Sequence, residues 1–291
     1  MARVPHTVPV GWSECSASRF ASGLSDTPLE RAAVALIGLP DDTGVRMNGG
    51  RPGAADGPWA FRRALSRYGT RRPDGFAWPA VADVGDIEPG VSLDETHARV
   101  SEAVGAILEA GAVPVGIGGG HDLTFAFVRA VAARHGVRTG LYFDAHLDVR
   151  EEAGSGMPFR RLVEDCGIGA LHVHGLDRFA NSDEHVRWFR AHGGTVDSFG
   201  PEDAWPEGEL FVSLDLDVVD AAFAPGVSAM NPCGWTPGLA DRWALAAGRN
   251  PQVRCFDIME LNPAFDEGGR TARLAARLFL SFLRGFAERG L

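Results

Sequence analysis

Eight short apolar runs alternate with stretches of helical periodicity along the chain, at residues 32–40, 80–84, 113–117, 138–143, 170–174, 195–197, 210–214 and 253–258. Strands that are apolar at nearly every position are buried on both faces, and strands alternating with helices build a mostly parallel sheet with helices on each side. Between them, Gly57-Pro58 opens a predicted helix with an apolar face of Trp59, Phe61, Ala64 and Leu65. Further helices are predicted over residues 94–110, where Val100, Ala103, Val104 and Ile107 form one stripe, and over 123–134, 183–192, 239–248 and 270–289. In the last of these Leu274, Leu278 and Phe282 are expected to face inward. With 291 residues, 45% of them hydrophobic, and no linker-like run or internal repeat, one domain spanning residues 1–291 is expected.

Three of the runs end in clusters of acids and histidines. They are Gly118-Gly119-Gly120-His121-Asp122, Asp144-Ala145-His146-Leu147-Asp148 and Ser213-Leu214-Asp215-Leu216-Asp217. The carboxyl ends of parallel strands are where α/β folds bind ligands. On an extended chain, alternation predicts that Asp144, His146 and Asp148 share one side, as do Asp215 and Asp217. A helix cap or a turn would explain any one of these acids alone, but capping does not produce three clusters in the same context. They read as a metal centre for two divalent cations. Four carboxylates, two imidazoles and no thiolate favour a harder ion such as Mn²⁺, with Ni²⁺ or Co²⁺ as alternatives. The glycine run lacks the G-K-[ST] of a phosphate-binding loop.

Other features narrow the partners. A net charge of -10 disfavours a general nucleic-acid binder. Cys15, Cys166, Cys233 and Cys255 are scattered, with no C-x-x-C pair, and suggest neither a thiolate zinc site nor a disulfide framework. The first twenty residues have no continuous apolar core, and the longest aliphatic stretch, residues 32–39, is too short to span a bilayer. A soluble cytoplasmic protein without a membrane partner, acting on a small molecule, is expected.

Together the three motifs resemble those of the ureohydrolase family of arginases, agmatinases and formimidoylglutamases, over nearly the whole chain. The resemblance implies a three-layer αβα sandwich around an eight-stranded, mostly parallel, arginase-like sheet, and a homo-oligomer, trimeric or hexameric. It also implies two Mn²⁺ ions, one held by His121, Asp144, Asp148 and Asp215 and the other by His146, Asp144, Asp215 and Asp217, with Asp144 and Asp215 bridging. Asp148 is then the residue that holds and relays the proton of the attacking water, and Glu260, after the last apolar run, grips the amidine nitrogens.

Within the family the closer likeness is to formimidoylglutamases, carried by residues 42–54, by Ser155-Gly-Met-Pro-Phe-Arg160 and by Asn262-Pro-Ala-Phe-Asp266. The chain departs from their usual pattern at Asp122 and Met157. Phe159 appears where arginases keep a proton-shuttling histidine, which argues against arginine as the substrate. Ser155, Arg150 and Arg160 are candidate contacts for a substrate carboxylate, since a guanidinium fork reads carboxylates well. The expected reaction is hydrolysis of N-formimidoyl-L-glutamate to L-glutamate and formamide. Other ureohydrolase specificities, a catalytically silent binding protein and a mononuclear zinc deacetylase of similar fold remain as alternatives.

Overall fold

The structure, a computed structural model, describes residues 4–12, 15–24, 27–69 and 77–289. Its sheet contains β1 (Thr7–Val8), β2 (Val34–Leu39), β3 (Val81–Ile87), β4 (Val113–Gly118), β5 (Thr139–Phe143), β6 (Ala170–His174), β7 (Gly194–Val196), β8 (Leu210–Asp215) and β9 (Val253–Met259). Their order across the sheet is β1-β3-β2-β4-β9-β8-β5-β6-β7. The strands from β2 to β9 pair in parallel and are the eight that the apolar runs predict. The ninth, β1, is added antiparallel along β3. Two residues carry no periodicity, so the sequence does not announce it. Gly85 makes that pairing possible: its φ is +94°, and a Cβ there would lie 2.2 Å from the Val8 carbonyl oxygen.

The helices are α1 (Thr43–Met47), α2 (Gly57–Leu65), α3 (Leu93–Glu109), α4 (Leu123–His135), α5 (Pro158–Cys166), α6 (Asp183–Ala191), α7 (Pro237–Arg249) and α8 (Arg270–Ala287). They form two layers. Phe61, Leu65, Trp243, Phe279 and Phe282 of α2, α7 and α8 cover one face of the sheet. Val100, Val104, Phe127, Phe159 and Phe189 of α3 to α6 cover the other. Both faces of the central strands are therefore dry, and β2 and β8 are buried at every position. The stripe on α3 is fully buried as predicted, and on α8 Leu278 and Phe282 are buried while Leu274 packs at the margin.

Trp59 does not join the apolar face of α2; it is 53% exposed, while Phe61 and Leu65 are buried. Residues two apart on a helix point to nearly opposite sides, so Trp59 and Phe61 cannot share a core face. Two helices escape the periodicity. α1 is a single short turn, and α5 starts with Pro158 inside the Ser155–Arg160 segment.

Buried charge also fixes α2 to the sheet. Arg62 spans Asp83 on β3 with a fork of 2.8 and 2.9 Å and reaches Asp86 at 2.5 Å. Among the described residues, no helix is long and apolar enough to cross a membrane.

Candidate metal centre

Four adjacent strands of the sheet, β4, β9, β8 and β5, run parallel and end at the same edge. At or just beyond their last residues lie His121, Glu260, Asp215 with Asp217, and Asp144 with His146 and Asp148. All six predicted ligands converge there. His121, Asp144, Asp148 and Asp215 offer donor atoms within 4.8 Å of one another, and so do Asp144, His146 and Asp217. Asp144 belongs to both groups and can bridge. Asp215 belongs to the first group alone rather than bridging, and its Oδ1 accepts the Asp217 backbone N–H at 2.8 Å.

The clusters do not converge by the alternation of an extended strand. β5 ends at Phe143, and Asp217 sits in a 3₁₀ turn over Leu216–Val218. Instead the chain turns sharply, and each acid helps to make its own turn: Asp144 Oδ1 accepts the His146 N–H at 2.6 Å. Asp148 and Glu260 adopt left-handed φ values of 47° and 64°. Non-glycine residues bear a steric cost in that region, which is tolerated where it aims a functional side chain.

The donor atoms fit divalent cations. His121 Nε2 lies 3.0 Å from Ser213 Oγ, which donates to Asp257 Oδ1 at 2.5 Å; Thr124 Oγ1 donates to Asp257 Oδ2. With its hydroxyl proton committed to Asp257, Ser213 accepts from the imidazole, so the proton is on Nε2 and the lone pair on Nδ1. That Nδ1 faces Asp144, Asp148 and Asp215 at 3.2, 3.0 and 3.1 Å. It and Asp144 Oδ2 are buried without a hydrogen bond. A lone pair aimed at three carboxylates is repulsive unless a cation lies between them.

The acids of the site perturb one another. Burial, then the charges of Asp148 and Asp217, push Asp144 up to about 6. Burial and the charges of Asp217 and Asp144 raise Asp215 well above the usual carboxylate range. Burial acts against the shift of Asp217, but His146 holds it low. Burial dominates at Glu260, which rises to about 8. So many acids cannot ionise together in a dry site without positive charge.

Beside the cluster is a cleft of about 130 Å³, lined by His146, Asp148, Asp215, Asp217 and Glu260 on one side and by Arg150, Ser155, Asn48 and Ser228 among the rest. Glu260 Oε1 accepts the His121 backbone N–H at 3.0 Å, while its Oε2 is buried without a partner. Arg150 is exposed at the cleft, and among the described residues its guanidinium has no carboxylate partner. Arg160 is not brought there. It lies on α5, paired with Glu164 at 2.9 Å and Glu151 at 3.5 Å, over the Trp188 ring. Phe159 is also off the cleft: fully buried, it stacks on Tyr142 and meets the His121 ring edge-on at 5.2 Å.

Four contributors were not assigned roles from sequence: Asn48, Ser228, Ser213 and Asp257. Ser228 comes from a loop without a motif; Asn48 lies within the 42–54 segment that carries the family likeness and ties the cleft wall together by accepting the Gly156 N–H at 2.8 Å. Ser213 and Asp257 did carry a signal, as polar residues flanked by apolar ones inside strands. Removing the relay with Ser213→Ala is expected to weaken metal binding by ~10- to 100-fold, because His121 loses the acceptor that orients it. Titration against a chelating indicator reads this directly; unchanged affinity would show that the relay does not orient the ligand.

The arginase family model matches residues 32–284. The chain belongs to the arginase family. Among relatives in the family, the formimidoylglutamase of Aromatoleum aromaticum is 36% identical, over 88% of this chain and 84% of its own. The human mitochondrial guanidino acid hydrolase is 32% identical, over 94% and 83%. A crystal structure of Trypanosoma cruzi formiminoglutamase with Mn²⁺ superposes with a TM-score of 0.87 at 32% identity, covering 93% of this chain and 99% of that one. The matched range spans the central strands that carry His121, Asp144, His146, Asp148, Asp215 and Asp217.

Proposed function

We propose that this protein hydrolyses N-formimidoyl-L-glutamate to L-glutamate and formamide at a site that takes two Mn²⁺ ions. One observation carries the reading: a single cleft places a buried carboxylate oxygen of Glu260 and an unpaired guanidinium of Arg150 among its walls. A ligand with a cationic amidine at one end and carboxylates at the other meets both demands. The name of the Aromatoleum relative and the Mn²⁺ in the trypanosomal structure support it.

When bound, the cation pair supplies Lewis acidity that lowers the pKa of water. His121, Asp144, Asp148 and Asp215 would hold one ion, and Asp144, His146 and Asp217 the other. Glu260 Oε2 accepts the amidinium N–H and so fixes the sp² carbon in place. Arg150, with the Ser155 hydroxyl nearby on the same wall, holds the carboxylate end. Asp148 takes the proton of the attacking water at its carboxylate and returns it to the glutamate nitrogen as the C–N bond breaks. The water oxygen leaves in formamide. A cytoplasmic homo-oligomer, trimer or hexamer, belongs to the same reading.

A substrate panel with Mn²⁺-loaded protein tests it. Glutamate and formamide are expected from formimidoyl-glutamate, with little or no urea from arginine, agmatine or linear guanidino acids. Release of urea with no glutamate would replace the substrate assignment by that of a guanidino acid hydrolase. No turnover on any member of the panel would favour a silent binding protein.

A further inference from the structure

A second hollow, of about 290 Å³, lies between α2 and α8, and none of its lining residues belongs to the cleft of the metal centre. Its walls carry Arg63 from α2, Arg67 from the turn that follows it, Arg273 from α8, and the exposed ring of Trp59. Arg63 lies over that ring at 4.6 Å. Among the described residues none of the three guanidinium groups is paired with a carboxylate. Asp266, the acid that lines the hollow, is already used: its two oxygens accept the Thr271 and Ala272 N–H groups at 2.8 and 2.9 Å.

This arrangement runs against the rest of the molecule. The chain carries a net charge of -10, and its buried or half-buried Arg62, Arg160, Arg254 and Arg51 each meet an acid or a carbonyl. Arg63 and Arg67 line one concavity and repel each other, and Arg273 brings a third positive charge to it. Packing does not require charge there either, because these side chains are exposed. An anion entering the hollow would relieve the repulsion and could be gripped by several forks at once.

We propose that the hollow between α2 and α8 is a binding site for a small multivalent anion bearing phosphate or carboxylate groups. The site is independent of the substrate assigned to the metal centre. It sits against Pro263 and Asp266, on the segment that leaves Glu260, so a bound anion braces that segment.

Calorimetric titration of the Mn²⁺-loaded protein with inorganic phosphate and, separately, with succinate distinguishes the two sources of negative charge. Saturable binding of at least one of them, at one per chain and at ionic strength matched with NaCl, is expected. Arg63→Ala and Arg273→Ala should each weaken it by about tenfold or more, with basal hydrolysis unchanged. No saturable binding of either probe, or equal binding by the variants, overturns the proposal. So does a change of oligomeric state in the variants without anion binding, which would make the hollow an interface between copies.

Discussion

Asp217→Asn is expected to yield a protein that retains about one divalent cation per chain and loses on the order of 100-fold or more in kcat. Asp217 Oδ2 lies 3.0 Å from His146 Nδ1, and its Oδ1 accepts the Ala145 N–H at 3.3 Å. It is the carboxylate that holds His146 in place, and it is 3% exposed. An amide of the same shape keeps the packing but gives up the negative charge that His146 and a second cation both need. The first group, His121, Asp144, Asp148 and Asp215, is left intact. Elemental analysis after dialysis, alongside kcat on formimidoyl-glutamate, separates the outcomes. Two retained ions, or full turnover with one, would count against a two-metal centre.

Arg62→Ala is expected to destabilise the fold by about 3–5 kcal/mol, enough to dominate the stability of an ordinary domain. Arg62 is 7% exposed and is the shared partner of Asp83 and Asp86. Truncating it leaves two carboxylates in a dry seam between α2 and β3, with no cation to offset the loss of hydration. Burial already raises Asp86 above the usual carboxylate range even with Arg62 present. Lysine restores the charge without the fork and should recover part of the loss. Denaturant unfolding of the metal-free protein is the appropriate measurement, because bound cations would add their own free energy to the folded state. An unchanged midpoint in Arg62→Ala would mean that the seam admits enough water to hydrate both acids.

The same seam shows where sequence patterns stop being informative. The second predicted strand covers residues 80–84, whereas β3 continues to Ile87. The predicted run stops before Gly85 and Asp86, yet Arg62, 24 residues before Asp86, pairs with it within the sheet. By contrast β6 coincides with its prediction at Ala170–His174, since its pattern needs no partner from elsewhere to be legible. Arg160 illustrates the same limit at the site. Its place in the Ser155–Arg160 segment suggested a carboxylate reader, but the helix that begins at Pro158 turns it toward Glu164. Arg150, on the irregular stretch after Asp148, stays at the cleft.

The six metal-ligating candidates were legible because each cluster directly follows an apolar run, so side-chain type and strand end are written next to each other in the chain. The alternation of runs likewise determined a mostly parallel sheet with helices on both faces. Only the tertiary structure decided that β4, β9, β8 and β5 lie side by side, bringing Glu260 to His121 across 139 positions of sequence. Strand order depends on which apolar faces pack best against which helices, a long-range choice that no local pattern records. The same holds for the Ser213–Asp257 relay and the arginine-lined hollow, whose members become neighbours only once the layers are assembled.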